Sequence, residues 1–157
     1  MSTKTNPGNF FEDFRMGQRI VHATPRTVTE GDVALYTALY GSRFAVNSSA
    51  AFAASLGLPR APLDDLLAFN VVFGKTVPDI SLNAIANLGY AAGRFGVPLY
   101  CGDTVSASST VLGLKQNKDG QTGVVYVRST GLNQRGEMVV SLRRTGLMIK
   151  RSSLQAA

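Results

Sequence analysis

Two adjacent carboxylates, Asp64 and Asp65, stand immediately ahead of the apolar run Leu66-Leu67-Ala68-Phe69-Asn70-Val71-Val72-Phe73. Neighbouring acids can share a proton and so supply a base near neutral pH. At the start of a helix they also complement the dipole and cap the first turn. Histidine and cysteine are scarce. One histidine, His22, and one cysteine, Cys101, exclude Cys/His zinc sites and most Ser–His or Cys–His nucleophile pairs. No metal site is expected, and any chemistry falls to Asp, Glu, Tyr, Ser, Asn or the backbone. Cys101 precedes Gly102-Asp103 with no histidine near it in sequence, and reads as a small residue in a turn rather than a nucleophile.

The elements that must position these groups follow from pattern. Residues 1–9 are polar, with Pro7 and Gly8, and read as a disordered lead-in. A short strand-like run covers 18–24. Thr29 ahead of Glu30 and Asp32 is helix-start chemistry, and the spacing predicts a helix over 30–40 stopped by Gly41. After an irregular stretch over 42–47, a short alanine-rich helix begins at Ser48 or Ser49 and runs to Gly57. The two acids then open an almost wholly apolar helix over 64–74, of the kind that is buried on every side. From residue 82 the pattern changes to strands, over 82–97, 104–116, 122–133 and 137–150, separated by turn residues. Helices first and long antiparallel strands after them predict an α+β domain over 10–151, a curled sheet wrapped around the buried helix, with a short flexible tail over 152–157.

Composition agrees with one domain. The chain has 157 residues, 45% hydrophobic and 17% charged, enough to bury a core without metals or disulfides. A lone cysteine and no secretory leader point to the cytoplasm. No apolar run approaches the roughly 20 residues that span a bilayer. The net charge of +6 lies wholly in the last third: residues 111–157 hold eight basic and two acidic side chains, residues 1–110 eight of each. Such an end suits phosphate-bearing ligands. No nucleic-acid motif accompanies it, and nucleic acid is not an expected partner.

Several strings carry a resemblance. Phe11-Glu12-Asp13-Phe14 with Gly17-Gln18, Arg26-Thr27-Val28-Thr29-Glu30-Gly31-Asp32, Ser55-Leu56-Gly57-Leu58-Pro59, and Arg94-Phe95 with Pro98 and Gly102-Asp103-Thr104 resemble, in order and spacing, the MaoC-like hydratases and dehydratases of the hot-dog fold. More narrowly, residues 23–41 and 73–83 look like the N-terminal half of mesaconyl-CoA hydratases, double hot-dog chains about twice this length. The resemblance implies an acyl-CoA hydratase or dehydratase for a short branched or dicarboxylic enoyl-CoA such as mesaconyl-CoA. Coenzyme A would be part of the substrate and no further cofactor is implied. It also implies a homodimer or pairing with a second hot-dog domain.

Hydration of an enoyl thioester needs a base, an acid and a donor to the thioester carbonyl. The family supplies the first two from a D-x-N-P-x-H string after the first helix. Here that stretch is Ser42-Arg43-Phe44-Ala45-Val46-Asn47, so Ser42 and Asn47 replace the Asp and the His, and neither exchanges a proton near pH 7. Asp64 falls where the family has a His-Gly pair and is the candidate relocated base. Backbone N–H groups of Asp65 and Leu66 are the candidate carbonyl site. Phe44, Phe69 and Phe73 are candidate acyl-pocket walls, and Tyr90 on the first long strand could turn its hydroxyl to the ligand, with plain core packing the commoner use of all four. Arg43, Lys75, Arg94, Arg143 and Arg144 are candidates for coenzyme A. Two alternatives stay open: a non-catalytic hot-dog subunit supporting a catalytic partner, and a hot-dog thioesterase using Asp64 or Asp65 as base.

Overall fold

The computed structural model describes residues 7–41 and 44–155. The first helix, α1, runs Glu30–Tyr40, where the sequence places it. Thr29 caps it, its hydroxyl accepting from the Asp32 N–H while the Asp32 carboxylate accepts from the Thr29 N–H. Gly41 ends it at φ 63°, a left-handed conformation that glycine adopts without strain. The stretch expected to be irregular contains one helical turn, α2, Ala45–Ser48, and the alanine-rich helix α3 is Ala50–Ser55 with Ser49 as its cap.

Helix α4 spans Asp65–Ile80, six residues beyond the expected end at Gly74. Packing overrides the local breakers: Val72, Thr76 and Ile80 recur at helical spacing and are all fully buried, so the helix carries on through Pro78 in its last turn.

Short strands β1 (Arg19–Val21) and β2 (Arg26–Thr27) precede the four long ones, β3 (Ala84–Phe95), β4 (Thr104–Gln116), β5 (Thr122–Leu132) and β6 (Met138–Ile149). All are antiparallel, in the order β1-β4-β5-β6-β3, with β2 also on β4. The long strand β3 is therefore a sheet edge. Pro7 and Asn9, in the expected lead-in, accept from the Asn83 side chain through their carbonyls, and the Asn9 side chain donates to the Asp79 carbonyl. The expected tail begins in a 3-10 turn, Arg151–Gln155.

The sheet curls over α4. One core cluster joins Leu67, Ala68, Val71 and Val72 to Val105, Ala107, Val140 and Leu142; a second joins Ile80 to Phe14, Val111, Val127 and Met148. The other side of α4 is open: Leu66 and Asn70 are exposed, and Phe69 and Phe73 half-buried. The sheet of this chain buries one face of a largely apolar helix, not the whole of it.

Close approach is what makes the buried face work. A Cβ on Gly131 of β5 would overlap the Val72 methyls. Gly131→Ala is expected to cost about 1–3 kcal/mol through overpacking, with the urea midpoint lowered. A smaller companion change, Val72→Ala in the same chain, should recover part of the loss.

Candidate functional site

At the start of α4 the carboxylate predicted as a base is already engaged. Asp64 is the N-cap: its Oδ1 accepts from the Leu66 N–H at 2.9 Å and from the Tyr36 hydroxyl at 3.1 Å. Burial, helped by that bond to the carboxylate, pushes the Tyr36 hydroxyl above its usual range, so Tyr36 stays a donor. The Leu66 N–H, predicted as half of a carbonyl site, is thus occupied by its own cap. The Asp65 N–H lies outside the helical ladder and keeps that capacity.

Asn47 takes a structural part. Its Nδ2 donates to the Pro62 carbonyl at 3.1 Å and the Leu63 carbonyl at 3.0 Å, tying α2 to the segment that leads into α4. Ser42 and Arg43 lie outside the described residues. Between α2 and α4 is a cavity of about 320 Å³ lined by Phe44, Asn47, Leu63, Asp65, Phe95 and Pro98 among others. The carboxylate facing it is Asp65, not Asp64, and burial, with Asp64 beside it, holds Asp65 above the ordinary aspartate range.

The three predicted wall residues do not share a wall. Phe44, 72% exposed, borders this cavity. Phe69 and Phe73 stack on each other at 5.9 Å, and Tyr90 of β3 meets both edge-on at 5.6 and 5.7 Å. Tyr90 is 51% exposed, so this trio stands at the open face between α4 and the sheet edge rather than in the core.

The predicted basic residues divide in the same way. Lys75 donates to the Ala23 carbonyl at 3.3 Å and to the Thr24 carbonyl, pinning a loop in which Thr24 sits at the strained φ of 57°. Arg144 is 2% exposed, a correction to the expectation of a groove-mouth residue: strand alternation turns it inward, under the aromatic trio. Arg94 and Arg143 do share a groove on the outer face of the sheet, of about 360 Å³, and Arg128 joins them there. Sequence reasoning missed Arg128. The signal was register, because Arg128 lies directly opposite Arg143 across β5 and β6.

His22 was missed too. Its Nδ1 is 2.7 Å from an Asp79 carboxylate oxygen, its Nε2 is 2.8 Å from Ser109 Oγ, and Ser129 Oγ lies 2.7 Å beyond. The residue types are those of a nucleophile relay, but both serines are buried in the sheet and the network serves to lock β1, α4 and the sheet together. The Cys101 thiol is pushed up by burial, which agrees with an inert turn residue.

A family model described as mesaconyl-CoA hydratase matches residues 2–157. A beta-methylmalyl-CoA dehydratase of Chloroflexus aurantiacus is 72% identical over 96% of this chain and 43% of its own length. A mesaconyl-CoA hydratase of Cereibacter sphaeroides is 58% identical over 98% of this chain and 45% of its own. The solved structure of a MaoC domain protein from Chloroflexus aurantiacus superposes with a TM-score of 0.92 at 71% identity, covering 96% of this chain and 43% of that one. The chain spans less than half the length of these relatives. The curled sheet over α4 is the hot-dog fold.

Two outcomes test the structural assignments. Asp64→Ala removes the cap and should lower stability by about 1 kcal/mol in chemical denaturation. Burial holds the His22 pKa below 6.5 against the pull of Asp79, with the Arg144 and Lys75 charges adding to the depression. The unfolded chain therefore takes up a proton at a higher pH than the folded one. The stability carried by neutral His22 is present above 6.5 and lost as pH falls through the folded value. Thermal midpoints should fall between about pH 7.5 and 5.5, and His22→Asn should flatten that slope whatever its effect on the level.

Proposed function

The chain belongs to the mesaconyl-CoA hydratase family, and we propose that it is one hot-dog domain of a two-domain enoyl-CoA hydratase/dehydratase of the cytoplasm, acting on a short branched or dicarboxylic acyl group such as mesaconyl. The observation that carries this reading is a match running through the whole chain yet less than half of its relatives, in a fold that leaves one flank uncovered. Ile85, Leu88, Tyr90 and Phe95 of the edge strand β3 stand exposed, as does Leu66 of α4. An apolar strand with free backbone groups along it calls for a second sheet or a covering domain.

Coenzyme A enters as part of the substrate, with no separate cofactor in the proposal. The groove of Arg94, Arg128 and Arg143 and the cavity at the start of α4 lie on either side of the end of β3: Arg94 lines the first and Phe95 the second, and on β6 Met138 lines the first and Val139 the second. This placement supports a path in which the phosphates lie on the arginines and the pantetheine arm rounds the strand end toward the domain interface. Register puts Arg128 against Arg143 with no carboxylate opposite either, an arrangement that favours an anion between them.

Proton transfer is where this domain falls short. Asn47 has no proton to exchange and Asp64 is held as a cap, so the acid and base of the reaction are assigned to the second domain. Among the described residues Asp65 is the carboxylate that faces the cavity, with its proton affinity raised, and turnover by the chain alone would point to it as the base. The purified chain, titrated calorimetrically with mesaconyl-CoA and followed by the conjugated enoyl absorbance, is expected to bind without turnover. Arg128→Glu with Arg143→Glu should weaken that binding at least about tenfold. Turnover abolished by Asp65→Asn would transfer the base to this chain, and no thioester binding would end the proposal.

A further inference from the structure

Arg144 presents a problem the proposed reaction does not yet use. Its side chain enters the interior from β6 and its guanidinium lies over the Phe73 ring at 4.8 Å. One terminal nitrogen, Nη1, donates to Ser81 Oγ at 3.3 Å, a long bond to a neutral acceptor. The other, Nη2, is fully buried and has no acceptor among the described residues. Burial lowers its pKa only to about 10, so it is a cation at neutral pH. No carboxylate among the described residues forms an ion pair with it: Asp79, the acid on the same stretch of α4, is bonded to His22. A buried guanidinium with an idle donor is costly unless an anion completes it.

The surroundings say from where such an anion would come. Tyr90 lies directly across from Arg144 in the β3–β6 register, and with Phe69 and Phe73 it forms an aromatic wall at the uncovered face of α4. That wall suits the flat, conjugated part of an acyl group, and the cation behind it suits a charged end. The placement along α4 is informative as well. Ser81, which Arg144 touches, follows the last residue of the helix, whereas the candidate carbonyl site is at Asp65. The helix from Asp65 to Ile80 is roughly 24 Å long, and even Phe73, under the guanidinium, stands about 12 Å along it from Asp65. A short acyl group cannot touch both, so a thioester whose acyl end reaches Arg144 has its carbonyl held from across the open face.

We infer that Arg144 is the specificity-determining residue for a dicarboxylic acyl group, its free N–H and charge binding the carboxylate remote from the thioester while the second domain holds the carbonyl. This rests on the enoyl-CoA reading above and sharpens it: the domain that has lost its proton-exchanging residues retains the group that recognises the far end of the substrate. A carboxylate of the second domain is the competing occupant.

The test compares mesaconyl-CoA with 2-methylcrotonyl-CoA, which has the same acyl skeleton with a methyl in place of the free carboxylate. Both are titrated into the full chain and into its Arg144→Met and Arg144→Lys variants. The wild type should prefer mesaconyl-CoA by at least about tenfold, Arg144→Met should erase that preference by weakening mesaconyl-CoA alone, and Arg144→Lys should retain part of it. Arg144→Met should also leave the thermal midpoint of the ligand-free chain unchanged or raised, because it removes an uncompensated buried charge. Equal weakening of both thioesters with a lowered midpoint would make Arg144 a structural residue and overturn the inference. An unchanged preference, with loss only of association between domains, would give the anion to the second domain. Failure of every form to bind either thioester would instead remove the enoyl-CoA reading on which the inference stands.

Discussion

A single curled sheet can cover only one side of a helix, and α4 is apolar on more sides than that. Leu67, Ala68, Val71, Val72 and Ile80 are buried against the strands, while Leu66, Phe69 and Phe73 look the other way. The hydrophobic surface left over is the constraint that organises the molecule. It leaves β3 as an apolar edge, sets three aromatic rings at that edge, and leaves the guanidinium of Arg144 with only part of its bonding satisfied. Each would be a defect in a self-contained domain, and each becomes intelligible in the proposed two-domain enzyme.

The residues expected to take part in proton transfer serve as ties. Asn47 joins two backbone carbonyls ahead of α4, and Asp64 holds both the helix start and Tyr36. These bonds keep the entrance to α4 in shape without any proton leaving or arriving. The same economy appears at His22, whose Asp79 and serine partners have the residue types of a relay and the burial of a core contact. Residue identity alone does not separate the two; solvent access does.

Much of the fold was legible in the sequence because its signals are local. Thr29, Gly41, Ser49 and Asp64 mark helix ends through hydrogen bonds to residues two to four positions away, and the long strands end at turns rich in Gly, Asn and Asp. The end of α4 was not legible, since Gly74 and Pro78 argue locally for a stop and only the distant strands that bury Thr76 and Ile80 argue against it. The site divided along the same line. The resemblance located the start of α4, but which carboxylate faces the cavity is a matter of helix phase. That Arg144 turns inward while Arg143 turns outward is a matter of strand phase. The grouping of Arg128 with Arg94 and Arg143 needs three strands in register, and no stretch of sequence contains that information.

The uncovered edge also has a bearing on how such a domain is made. An exposed apolar strand is a template for any other strand that meets it, including the same strand of another copy. A cover carried on the same polypeptide acts at an effective concentration in the millimolar range, far above what a separately synthesised subunit ordinarily reaches. Tethering of this kind lets the correct partner win a race against self-association. A polypeptide long enough to carry such a cover would protect, within one molecule, an edge that would otherwise have to survive a search through solution.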